Sequence, residues 1–152
     1  MSYCMYPKLL FLKYEDQLLN LLTYKLLFLL KQQKAQQEAT RTGRVKTISE
    51  SIALIAKAME QQQCELSEGV IRIVNLLNAL PLVEPPNYKA QYPHIHSLFI
   101  EVSGFAILEA RQKLTKAERR KQDLAREQIE SEYESKVLAE LPALQAYCET
   151  LV

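Results

Sequence analysis

Glycine is scarce in this chain: Gly43, Gly69 and Gly104 are the only three in 152 residues. A phosphate-binding loop needs glycines and a following Gly-Lys-Ser/Thr, whereas Gly43 stands alone in a basic stretch, so no such loop is expected. Cysteine is equally sparse. Cys4, Cys64 and Cys148 are odd in number, far apart and never arranged as Cys-x-x-Cys. That spacing argues against a disulfide framework or a structural zinc site and fits a reducing cytoplasm. There is no G-x-S-x-G elbow and no cysteine-centred nucleophile signature. The two histidines, His94 and His96, are separated by one residue. They share a face on a strand but point about 200° apart on a helix, and Glu101 is the nearest carboxylate, so no metal shell is expected. Carboxylates crowd the stretch from Glu127 to Glu134, but in a segment of low apolarity that offers no enclosed acid–base pair. The expectation is a protein with no catalytic activity, cofactor or metal.

Neither export nor a membrane span is expected. The start does not read as a signal peptide, since no basic region leads it. The leucine-rich run from Leu9 to Leu30 is interrupted by Lys13, Glu15, Asp16 and Lys25, which makes it a poor membrane span and a better core helix.

Leu, Ala, Gln, Glu and Lys dominate instead, a mix that favours helix because these side chains lose little rotamer freedom there. Helical spacing predicts a first helix over 14–38, apolar round so much of its circumference that it has to be surrounded, as the centre of a bundle or as part of a partner interface. Residues 40–46 read as a connection around Gly43. Thr47-Ile48-Ser49-Glu50 matches a capping box and predicts a second helix to about Gln63. Ser67 is the expected cap of a third helix, which Pro81 stops near Leu80. The segment from Pro81 to Pro93 reads as an ordered, irregular crossing. Helical character returns near His94 and runs through Val102, Phe105, Ala106 and Leu108. Beyond it, one long helix and two shorter ones are both compatible with the pattern, because Thr115-Lys116-Ala117-Glu118 is itself a capping-box match. Pro142 suits the first turn of a short terminal helix. Together these predict a single all-α domain over residues 1–152, a helical bundle of four to six helices with a long basic-to-acidic segment near the C-terminus.

That segment carries the strongest functional signal. From Arg111 to Arg126 seven basic residues face two acidic ones, while from Glu127 to Glu140 five acidic residues face Lys136. The whole chain nets only +1. A second basic stretch runs from Lys31 to Lys46. Such patches point to binding and assembly. If the segment is helical throughout, Lys113, Lys116 and Arg120 share one face and can follow successive phosphates without reading base sequence. Tyr88 and Tyr92 could stack on unpaired bases, or simply pack. Arg119–Asp123 and Arg126–Glu130 are spaced as salt bridges of an ordinary solvated helix.

In size, helical class and paired basic surfaces the chain resembles the small subunit of CRISPR Cascade-type effector complexes. The residues that carry the resemblance are Arg41, Arg44 and Lys46 in the first patch and Lys113, Lys116, Arg119 and Arg120 in the second. It implies a non-catalytic ribonucleoprotein subunit, present in several copies beside larger protein subunits in the cytoplasm. These seven residues would then contact the backbone of guide RNA or single-stranded DNA. Apolar residues as early as Leu9 would also suit a helical domain that elsewhere ends a larger protein. The competing expectation is a protein-only adaptor or assembly chaperone, docking a partner through Leu18–Leu30 and self-associating through its opposed charges. A metal-dependent enzyme using His94 and His96 is a third, weaker reading.

Overall fold

The computed structural model describes residues 6–105 and 111–152, with side chains from Tyr14 onward; Cys4, Ala106 and Leu108 lie outside the described residues. The protein is all-α, with no strand among the described residues. The helices described are α1 (Tyr6–Glu60), α2 (Leu66–Ala79), α3 (Tyr88–Gln91), α4 (Pro93–Val102) and α5 (Lys116–Thr150). The chain divides into two units, residues 1–42 and 43–152, and among the described side chains every buried one belongs to the second. No helix among the described residues is long and apolar enough to cross a membrane.

In the second unit, α1, α2, α4 and α5 each contribute one apolar stripe to a common core, while the one-turn α3 buries no residue. The last turns of α1 bury Val45, Ile52, Ala56 and Met59, and α2 buries Val70, Ile73, Val74 and Leu77. Helix α4 adds Ile95, Leu98 and Val102, and α5 adds Val137, Leu141, Leu144 and Cys148. The spacings of three and four residues put each set on one face. Full burial stabilises by about 1.5–3 kcal/mol per large aliphatic side chain. The start of α2 packs against the end of α1: a methyl group added at Gly69 would come within 2.6 Å of Met59 Cγ. Glycine at 69 is therefore a packing requirement.

Several sequence expectations are corrected here. Residues 40–46 are not a connection, because α1 runs through them unbroken. One glycine costs a helix only about 1 kcal/mol, too little to end it without a proline or a competing cap. Thr47 caps nothing; its hydroxyl donates to the Gly43 carbonyl one turn back (3.0 Å). Ser67 is not the cap of α2 but lies in its first turn, behind Glu65. The choice between one helix and two near residue 115 resolves to a fresh start at Thr115, with both arms of the capping box formed. Pro142 opens no terminal helix; it sits inside α5.

Helix α5 also fastens the starts of two other helices. Glu130 accepts hydrogen bonds from the Ser67 hydroxyl and from the Ser67 amide (3.3 Å). Glu140 accepts from the amides of His94 and Ile95, both at 3.0 Å. The first amides of a helix have no partner within it, and a carboxylate suits the positive end of the dipole. Part of the acidic half of α5 is therefore structural cement for α2 and α4.

Candidate functional site

The most unusual surface of the protein is the leucine-rich part of α1. All side chains from Tyr14 to Thr40 are exposed, including ten large apolar ones between Leu18 and Leu30. Leu19 and Leu26 are each 61% exposed, Leu22 56% and Leu29 58%. At about 1.5 Å per residue the stretch is roughly 20 Å long. Asn20, Thr23 and Lys25 are its only polar members, and Thr23 returns its hydroxyl to the Asn20 carbonyl (2.9 Å). The expectation that this helix forms the centre of the bundle is corrected: the core is built from residues 45–148, and Leu18–Leu30 take no part in it. A helix apolar all round is normally covered by something, so this surface has the composition of an interface.

The basic residues divide into paired and unpaired sets. Arg41, Arg44 and Lys46 stand on continuous helix rather than on a loop. Arg41 meets Glu38 at 3.4 Å, Lys46 meets Glu50 at 4.0 Å, and Lys46 points about 200° away from Arg44. Lys113 precedes the Thr115 cap, so it does not share a helical face with Lys116 and Arg120. Lys116, Arg119, Arg120 and Lys121 are exposed in the opening turns of α5 and form no ion pair among the described residues. Cations there oppose the helix dipole, which disfavours those of the first turn, Lys116 and Arg119.

Arg111 and Arg126 are differently placed. They line a cleft of about 380 Å³ with Glu65, Ser67, Arg72, Asp123 and an apolar wall of Ile71, Val102 and Phe105. Each arginine of this cleft meets a carboxylate. Arg111 makes a two-pronged contact with Asp123 (2.7 and 2.9 Å), Arg72 meets Glu68 at 2.6 Å, and Arg126 lies 3.8–3.9 Å from Glu65, Asp123 and Glu130. The Arg111 guanidinium holds the Asp123 carboxyl below its ordinary range. The expected Arg126–Glu130 pair is present, whereas Asp123 turns to Arg111 instead of forming the expected bridge with Arg119.

The remaining chemically suggestive residues are packed. Tyr92 is buried, and Tyr88 stands edge-on to Tyr147 with the hydroxyls 3.2 Å apart. Neither ring is presented for base stacking. Burial raises the phenol of Tyr92 to about 12 and the thiol of Cys148 to about 11. His94 is exposed, His96 packs edge-on against Phe99, and no cluster of three or more potential metal ligands occurs among the described residues.

These features define an all-α protein whose exposed chemistry is an uncovered leucine helix and a basic helix start. The chain belongs to the family described as "Protein of unknown function (DUF2489)", whose profile matches residues 17–144 and so takes in both the leucine stretch and most of the second unit. It is similar to an uncharacterized protein of Haemophilus influenzae (strain ATCC 51907 / DSM 11121 / KW20 / Rd), 37% identical over 123 residues, which are 79% of this chain and 81% of that protein. No solved structure matches it.

Proposed function

We infer that this protein is a non-catalytic assembly adaptor: the leucine-rich part of α1 docks onto a protein surface, and the second unit is the module thereby brought into place. The observation that carries this reading is the exposure of ten large apolar side chains between Leu18 and Leu30. Covering even four leucines would favour association by several kcal/mol before entropic costs, at about 1.5–3 kcal/mol each. The test is affinity capture with the full tagged chain and with a Leu22→Asp, Leu26→Asp variant. Loss of bound protein from the variant, with unchanged melting of the second unit, is the expected result. Retention of the same proteins by the variant would refute the reading.

A second reading has its own observation. Lys116, Arg119, Arg120 and Lys121 are four exposed cations that form no ion pair among the described residues. They suit contact with the backbone of RNA or single-stranded DNA, with Lys113 and Arg44 as further contributors. The expected role as a small ribonucleoprotein subunit of Cascade type, beside larger protein subunits, is the specific form of this proposal. It requires oligonucleotide binding that weakens steeply with salt and is lost on charge reversal at Lys116 and Arg120. Binding indifferent to both would remove it.

A further inference from the structure

The leucines of α1 form a palindrome. Leu18, Leu19, Leu21 and Leu22 are mirrored about Tyr24 by Leu30, Leu29, Leu27 and Leu26. Sequence symmetry about one residue matters for one kind of contact above all. In an isologous two-fold pair of antiparallel helices, each position meets the position equally far beyond the dyad on the other copy. We propose that the surface covering this helix is the same helix of a second copy of this chain, running antiparallel with its dyad beside Tyr24. The inference rests on the assembly reading above and names its partner.

Three observations converge on it. First, Leu19, Leu22, Leu26 and Leu29 are spaced three, four and three residues apart, the step of a continuous seam on one helix face. A dyad beside Tyr24 sets Leu19 at the level of Leu29 of the second copy, and Leu22 at the level of Leu26. The four are all more than half exposed, and Asn20, Thr23 and Lys25 fall outside the seam. Secondly, the flanks are oppositely charged: Glu15 and Asp16 precede the leucines, and Lys31 and Lys34 follow them. In the antiparallel pair each acidic end lies at the level of the other copy's basic end, twice over by symmetry. A parallel pair would place like charges side by side, which selects against it. Thirdly, Asp16 and Lys34 are eighteen residues apart, five helical turns, so they stand on the same side of α1 beside the seam.

The test uses the full chain in three steps. Sedimentation equilibrium reads its mass across a concentration series, where a dimer or a higher even-numbered assembly is expected. Asp16→Lys should weaken association roughly tenfold, and adding Lys34→Glu to the same chain should restore it, because the swap preserves the complementarity. Orientation is then read by mixing Leu19→Cys and Leu29→Cys chains, oxidising them, and sequencing the linked peptides. Links from 19 to 29 should dominate. They are about 15 Å apart along one helix, so links from 19 to 19 and from 29 to 29 would mean a parallel pair and overturn the proposal. A monomer at all concentrations also overturns it. If that monomer still captures another protein through Leu22 and Leu26, the assembly reading survives with a different partner. If it binds only lipid vesicles, or nothing, both readings fall.

Discussion

Replacing Glu140 with alanine should be one of the most damaging single changes at a half-exposed position of this protein. The Glu140 carboxylate accepts the amides of His94 and Ile95, each at 3.0 Å, and Ile95 is 1% exposed. Truncation removes the cap of α4, worth about 0.5–2 kcal/mol. It also leaves the Ile95 amide without an acceptor in a region water reaches poorly, at about 1–3 kcal/mol. The sum is about 1.5–5 kcal/mol. For a unit of roughly a hundred residues the middle of that range lowers the melting temperature by on the order of 10–20 °C. Urea denaturation followed by circular dichroism measures it directly. Glu140→Gln keeps one acceptor and should lose about half as much, while Glu134→Ala, on an exposed position of the same helix, should change little. A Glu140→Ala chain within about 0.5 kcal/mol of the parent would show that solvent replaces the carboxylate, and the role assigned to it would be wrong.

Two further outcomes follow from the packing. Gly69→Ala should destabilise the second unit by about 1–3 kcal/mol, because the new methyl displaces the buried side chain of Met59. Met59→Ala in the same chain should relieve part of that loss, and strictly additive effects would refute the contact. Alkaline pH should destabilise the unit progressively. Burial raises the Cys148 thiol from 9.0 to about 11 and the Tyr92 phenol from 10.0 to about 12, so the folded chain keeps protons that the unfolded chain releases. Their contribution is fully present below about pH 9 and is lost as pH rises through about 11 to 12. Urea midpoints across that range measure it, Cys148→Ala should abolish the earlier part of the fall, and a flat profile would count against the burial of both groups.

Much of the architecture was legible because its causes are local. The Thr115–Glu118 capping box closes within four residues, and the apolar stripes of α2 and α4 repeat at helical spacing, so both could be read from the order of residues. Local signals also misled. Thr47-Ile48-Ser49-Glu50 has the same pattern as the Thr115 box, yet α1 simply continues through it, because nothing upstream stops the helix. The tyrosines of the proline-rich crossing offered stacking surfaces on paper, but Tyr88 and Tyr92 pack beside α5.

The candidate site was legible in part. The leucine stretch and the basic run were both visible from composition. Which charges remained available was not, because ion pairing depends on what lies nearby in space: Arg111 and Arg126 proved to be held by carboxylates, Arg41 and Lys46 pair along their own helix, and Lys113 falls outside α5.

By itself, then, the amino-acid order determined the helical class, the start of α5, the charge reversal along it and the mirror symmetry of the leucines, all properties of neighbours within a few turns. Only the tertiary structure decided that Glu130 and Glu140 secure the helix starts at Ser67 and His94, 63 and 46 positions away, and that Leu18–Leu30 are left out of the core. The physical reason is common to both. A carboxylate or a leucine carries the same local signal wherever it sits, and its partner is chosen by the packing of distant segments, which spacing along the chain does not encode.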